Sequence, residues 1–269
     1  MLSPLAQISP KAKLADNVTV EAFAVIHENT EIGSGTVIMS HAVIMPGARI
    51  GKNCQIFPGA VISAVPQDLK YAGEDTHVSI GDNTIIREYC TINRGTKENI
   101  VTAIGNNCLI MSYVHVAHDC VIGNNVILSG YCGLAGHVHI EDYVIMEGYS
   151  MVQQFITIGA HSFMAADSKV RKNVPPFVKA AREPLSYIGV NTVGLSRRGF
   201  SPERIAQIED VYRILYVKGI TIPTALKEIE TEVPNSPEKA HIIEFIQKSE
   251  NGIMKGPLRT KEAVGAEKH

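Results

Sequence analysis

Six residues near the middle of the chain could do chemistry together: His115, His118, Asp119, Gly136, His137 and Gln154. His118 and Asp119 are neighbours, and an imidazole held by a carboxylate can serve as a general base. A glycine beside such a pair offers its backbone N–H, a fixed donor of the kind that stabilises an oxyanion. These groups meet only if the chain returns on itself at one particular interval. His118, Gly136 and Gln154 are spaced eighteen residues apart, and so are Asp119 and His137. A coil of eighteen residues per turn stacks His118 below Gly136 and Gly136 below Gln154, with Asp119 below His137. The same cluster admits two other readings: a metal site made from His115, His118 and His137, or polar residues that are merely solvated.

The rest of the sequence supplies such a coil. Of the 28 positions met by stepping six residues at a time from Ile8 to Val170, all are apolar except Asp68, Glu74 and Glu98. A composition of 45% hydrophobic residues does not produce that by chance. Two residues before each apolar position the side chain is usually small, as at Ala24, Thr36 and Ala60, and all five cysteines (Cys54, Cys90, Cys108, Cys120, Cys132) fall in this slot. Free cysteine there reads as a small buried hydrophobe. A period of six is neither the helical 3.6 nor a simple alternation. It predicts short strands of four or five residues joined by tight corners, three flats to a turn, with one apolar and one small side chain pointing inward per flat. Glycine and asparagine crowd the corners, where positive φ costs them least. The six candidate residues avoid both inward slots, so they are expected on the outside of a triangular prism.

The register is broken twice, by about Val65–His77 and about Arg94–Thr102. Loops that leave a rigid repeat are where function tends to sit. Beyond Pro175-Pro176 the pattern ends. Ser201-Pro-Glu opens a helix with Ile205, Ile208, Tyr212 and Leu215 as its apolar stripe, ended by Gly219. A second helix is expected over 222–232, and Ser236-Pro-Glu opens a third. The expected division is a β-prism over 1–186 and a helical unit over 187–269 with a loose tail. A formal net charge of −2 argues against a nucleic-acid binder. No apolar run approaches the ~18 residues of a membrane span, and no basic-then-apolar leader opens the chain. A cytoplasmic protein without membrane insertion is expected.

Several strings occur in order: Gln67-Asp-Leu-Lys-Tyr-Ala-Gly-Glu, His115-Val-Ala-His-Asp-Cys, Leu134-Ala-Gly-His, Gln154-Phe, Gly189-Val-Asn and Arg197-Arg-Gly-Phe. From about Ile8 to Gly256 the chain resembles the acyl-carrier-protein–UDP-N-acetylglucosamine O-acyltransferase family of hexapeptide-repeat enzymes. The first and last strings are the specific ones, since related acyltransferases share the histidine-aspartate-cysteine string. The resemblance implies a mainly β fold, a left-handed parallel β-helix, against the usual right-handed crossover. It also implies a homotrimer with its sites in the grooves between prisms, and no metal or other cofactor.

The implied reaction moves a 3-hydroxyacyl chain from acyl carrier protein to the glucosamine 3-position of UDP-N-acetylglucosamine, the first step of lipid A biosynthesis. By the resemblance His118 is the base, Asp119 orients it and the Gly136 amide faces the oxyanion. His115, His137 and Gln154 line the sugar-nucleotide pocket, with Asp68 and Lys70 from the first excursion. Asn191, Arg197 and Arg198 match nucleotide-binding positions, and Ala166 matches the position that closes the far end of the acyl groove. The chain departs from the family at Gln153, where histidine is frequent, and at Val193, where an acidic residue is. An N-acyltransferase of the same pathway usually carries an extra N-terminal domain, whereas repeats here begin by Ile8. A basic run, Lys169, Arg171, Lys172, Lys179 and Arg182, reads either as a solvated edge or as a dock for the acidic acyl carrier protein.

Overall fold

A computed structural model describes residues 1–97 and 101–257. Glu98 and the tail from 258 onwards, expected to be loose, lie outside the described residues. Successive strands turn through three faces of a left-handed, triangular parallel β-helix. The first face has nine strands, from Gln7–Ile8 to Lys169–Val170; the second has eight, from Lys13–Leu14 to Thr157–Ile158; the third has ten, starting at Thr19–Val20. Neighbours in a face are one coil apart, so His115 pairs with Gly133 and Gly133 with Met151.

The inward slots hold what the period of six requires. Ile44, Ile62, Ile92 and Ile110 are fully buried, as are the small residues Ala42, Ala60, Cys90 and Cys120 between them. All five cysteines are free and buried. Burial pushes the Cys90 thiol up to about 11 and the Cys120 thiol up to about 12, so neither is a nucleophile at neutral pH.

Paired strands are mostly two residues long, as at Val25–Ile26, rather than the four or five expected. The corners take the difference. The residue three past most inward apolar side chains is left-handed, with φ of 53° at Asn53, 61° at Asp119 and 60° at His137. Asparagine dominates one edge (Asn17, Asn53, Asn83, Asn107, Asn125), as expected. Another edge carries Tyr89, Tyr113, Tyr131 and Tyr149 in the same conformation. Their rings stack at 5.2, 4.8 and 4.9 Å, one coil apart. That contact offsets a left-handed cost of about 1–2 kcal/mol per residue.

Both excursions leave the first face and rejoin on the second: Val61–Ala64 is followed by His77–Ile80, and Thr91–Asn93 by Val101–Ile104. They project from the same edge that carries His118 and His137, which decides where the site can be.

At the C-terminal end Val178–Ala181 extends the third face in parallel, and Ser186–Val190 pairs antiparallel with it. The boundary expected after residue 186 therefore cuts through a strand; the helices begin at Thr192. They are α1 (Thr192–Arg197), α2 (Pro202–Tyr216), α3 (Ile222–Glu232) and α4 (Pro237–Gln247). Ser201, Thr221 and Ser236 cap α2 to α4, each followed by a proline in the first turn. The short α1 is unexpected, and Arg197-Arg198 lies at its end. Tyr212 is fully buried and its hydroxyl donates to the Pro176 carbonyl at 2.5 Å, fixing α2 to the end of the prism. Among the described residues no helix is long and apolar enough to cross a membrane.

Candidate active site

The strand His115–Val116 ends at the edge between the first and second faces, and the chain turns there through Ala117, His118 and Asp119 before Cys120 re-enters the core. Asp119 takes the left-handed corner, which aspartate tolerates better than most residues. Its amide donates to Thr102 Oγ1 at 2.8 Å. His118 Nδ1 lies 2.7 Å from Asp119 Oδ2. One coil further on, His137 occupies the equivalent corner, with Nε2 3.3 Å from the same oxygen. The two imidazoles meet edge-on, 5.3 Å apart.

Although His118 and Asp119 sit outside the prism, they are not solvated. His118 is 9% exposed and Asp119 7%, and Thr96 of the second excursion lies against the carboxylate. Burial by itself raises the Asp119 carboxyl, but hydrogen bonds from Thr96 and His118 outweigh it and hold the group below the ordinary range. Asp119 is thus an ionised acceptor. An acceptor at that point requires a proton on His118 Nδ1, which leaves the Nε2 lone pair free to accept one. Asp68 Oδ2, from the first excursion, stands 3.8 Å from Nε2.

The stacking expected from the eighteen-residue turn is present. Gly136 lies directly against His118, since a Cβ on it would stand 2.4 Å from Cε1. Phe155 donates its amide to the Gly136 carbonyl, placing exposed Gln154 on the next coil. Half-buried His115 meets Thr91 Oγ1 through Nδ1 at 2.7 Å. Burial, with the neighbouring His118, lowers its pKa, so His115 is a neutral polar group at pH 7. Lys70 is exposed, and its amide donates to Asp68 Oδ1 within the first excursion.

The other expected residues are on different edges. Asn191 is buried as the cap of α1, accepting from the Gly194 amide and donating to the His161 carbonyl at 2.9 Å. Arg198 donates to the Tyr143 carbonyl at 3.0 Å and lies over the Tyr143 ring. Tyr143 and His161 are corners between the second and third faces, one edge away from His118. Exposed Arg197 borders an open groove of about 600 Å³ together with Val193 and Phe200. Ala166 is exposed on the third edge, and its amide donates to Glu147. One chain thus brings together Asp68, His115, His118, Asp119, Gly136, His137 and Gln154, but neither the Asn191–Arg198 group nor Ala166.

The three-histidine metal set does not assemble within this chain. Among the described residues, the ligand-type atoms within 4.8 Å of one another belong to His118, Asp119 and His137. Of these, His118 and Asp119 are hydrogen-bonded to each other. In the basic run, Glu183 answers Arg171 at 2.9 Å and Lys169 at 3.8 Å, so part of the charge is matched locally. Thr96 and Thr102 are the site residues that sequence reasoning missed; the second excursion was the only signal for them.

Known proteins share this fold and much of this sequence. Residues 173–254 match the family described as Udp N-acetylglucosamine O-acyltransferase, Domain 2, and residues 29–64 and 102–136 match the bacterial transferase hexapeptide repeats. The acyl-[acyl-carrier-protein]–UDP-N-acetylglucosamine O-acyltransferase of Sulfurihydrogenibium sp. is 45% identical over 267 residues, covering 99% of this chain and 98% of its own. The UDP-N-acetylglucosamine acyltransferase structure from Bacteroides fragilis superposes with a TM-score of 0.94 at 46% identity, covering 95% of this chain and all of that one. The Francisella novicida structure gives a TM-score of 0.92 at 41% identity over the full length of both. With relatives 41–46% identical over nearly the whole chain and the folds superposing throughout, the chain belongs to the UDP-N-acetylglucosamine O-acyltransferase family.

Proposed function

We propose that the protein transfers a 3-hydroxyacyl chain from acyl carrier protein to the glucosamine 3-hydroxyl of UDP-N-acetylglucosamine, the first step of lipid A biosynthesis. The observation that carries the mechanism is the buried 2.7 Å contact between His118 and Asp119, with Gly136 against the ring. His118 Nε2 removes the proton from the 3-hydroxyl as its oxygen attacks the thioester carbonyl. Asp119 stabilises the imidazolium, and the Gly136 amide donates to the oxyanion. Collapse breaks the C–S bond, and the imidazolium returns its proton to the departing thiolate of the carrier. His115, His137, Gln154, Asp68 and Lys70 hold the sugar nucleotide.

A homotrimer completes the site. Nucleotide-binding Asn191, Arg197 and Arg198 and the acyl-limiting Ala166 are on edges away from His118, so neighbouring chains must supply them. The third face offers a surface for this. Ile85, Leu109, Ile127, Ile145 and Phe163 pair rung to rung on its outside, half-buried in one chain. A contiguous apolar stripe of this kind marks an interface. The free cysteines suit a reducing cytoplasm.

The test is acyl transfer by purified protein from a panel of acyl carrier protein thioesters to UDP-N-acetylglucosamine. The expected product is the 3-O-acyl sugar nucleotide; no transfer to this acceptor from any thioester would overturn the reading. The same panel examines Ala166. Ala166→Met should shift the preferred chain to a shorter one, because added methylenes meet occupied space while each methylene given up forfeits only ~0.8 kcal/mol. An unchanged preferred length with merely lower activity would remove Ala166 as the limit.

A further inference from the structure

The prism fixes the backbone of Asp119 but not its carboxylate plane, because the terminal torsion of an aspartate is broad. Something else must orient the oxygen that receives His118. The two carboxylate oxygens accept from two different atoms of one residue: the Thr96 amide donates to Oδ1 at 2.9 Å, and Thr96 Oγ1 donates to Oδ2 at 2.7 Å. Two donors on two oxygens set the plane as well as the position. Thr96 is 8% exposed and belongs to the second excursion, outside the repeat. Its neighbour Arg94 reaches back to the Pro46 carbonyl at 3.0 Å and lies over Tyr71 of the first excursion. The clamp is thereby tied to the loop that carries Asp68.

We propose that Thr96 is a positioning residue for catalysis: its hydroxyl and amide hold the Asp119 carboxylate in the plane that His118 needs, and its hydroxyl tempers the basicity of His118. The second part follows from the shared oxygen. Oδ2 is shared by the Thr96 hydroxyl and His118 Nδ1, with His137 Nε2 standing 3.3 Å away. Negative charge drawn toward Thr96 is withheld from the imidazole. This inference rests on reading His118 as the base.

The experiment compares Thr96→Val and Thr96→Ser in the full-length protein, with kcat, both KM values and pH–rate profiles. Valine keeps the shape and the backbone amide and removes only the hydroxyl. The expected result is a kcat lower by about ten- to a hundredfold, the worth of one hydrogen bond to a charged group. Both KM values should hold. The acid limb of the profile should move to higher pH, because a carboxylate relieved of one donor stabilises the imidazolium more strongly. Among the described residues, the other titratable groups facing His118 are Asp68 from the first excursion, His137 from the next coil and His115 from the preceding strand, and the substitution changes none of them. Serine should restore both rate and limb. Wild-type rate with an unmoved limb in Thr96→Val overturns the inference. So does a slow enzyme with raised KM, an unmoved limb and no rescue by serine, which is the behaviour of a merely structural residue. His118→Ala separates this inference from its foundation: activity surviving there removes the base itself, whereas a dead His118→Ala beside a neutral Thr96→Val removes only the clamp.

Discussion

His118→Ala should lower kcat by about 10²–10⁴-fold, the usual contribution of one positioned base, and leave the fold intact. The imidazole occupies an outward corner, so no core volume is lost; the prism stands on Ile110, Leu128, Met146 and the small residues between them. Nor is a charge abandoned. With His118 gone, Asp119 still accepts from Thr96 through both oxygens, and His137 Nε2 stands 3.3 Å from Oδ2. A buried carboxylate stripped of every partner would cost several kcal/mol, whereas this one keeps most of its donors. The loss should therefore fall on kcat rather than on KM, since the base acts on a proton that moves only in the transition state. Steady-state kinetics together with a thermal melt check both halves. Near-normal turnover in a folded His118→Ala protein would rule out the mechanism.

Much of the architecture was legible because the coil repeats its chemistry. Ile110 and Cys108 reveal an inward flat by type alone, and the stacking of His118 on Gly136 follows from counting eighteen. What the period did not contain was not legible. Tyr113 takes the same left-handed conformation as Asn107, yet no local rule predicts a positive φ for tyrosine; the compensation comes from Tyr131 and Tyr89, a whole coil away on either side. Thr96 was missed for a related reason. It belongs to a segment that leaves the register, so its place over Asp119 is set by the path of a loop and not by an interval.

The C-terminal unit shows the same limit. Ser186–Val190 contains a glycine and follows a proline, and its membership of the sheet depends on an antiparallel partner that sequence spacing does not announce. Asn191, Arg197 and Arg198 were identified by string, but the string says nothing of how that unit is rotated about the end of the prism. The structure puts them one edge away from His118. That is the strongest reason to expect that several chains, and not one, make up a complete site.

Gly136→Ala should lower turnover by about 10²-fold, the scale expected for a displacement of about 1 Å at the reacting group. The cause is contact and not backbone strain, because Gly136 is not among the positive-φ glycines. A methyl there would stand 2.4 Å from His118 Cε1, 2.7 Å from Nε2 and 3.0 Å from Nδ1. Something must move, and the ring has little freedom. Nδ1 is held at 2.7 Å by Asp119, Asp119 is clamped by Thr96, and Asp68 stands on the Nε2 side. The methyl thus forces the base out of line with its carboxylate, or pushes back the amide meant for the oxyanion; either change falls on the chemical step. A double substitution makes the test sharp. Once His118→Ala has removed the ring, the methyl at 136 no longer meets those three atoms. The pair should therefore be strongly non-additive, with Gly136→Ala adding little to the loss already caused by His118→Ala. Measured kcat/KM for the two single variants and the double variant decides it: full additivity, or a Gly136→Ala enzyme as fast as the parent, would mean that the glycine is not there to make room for the base.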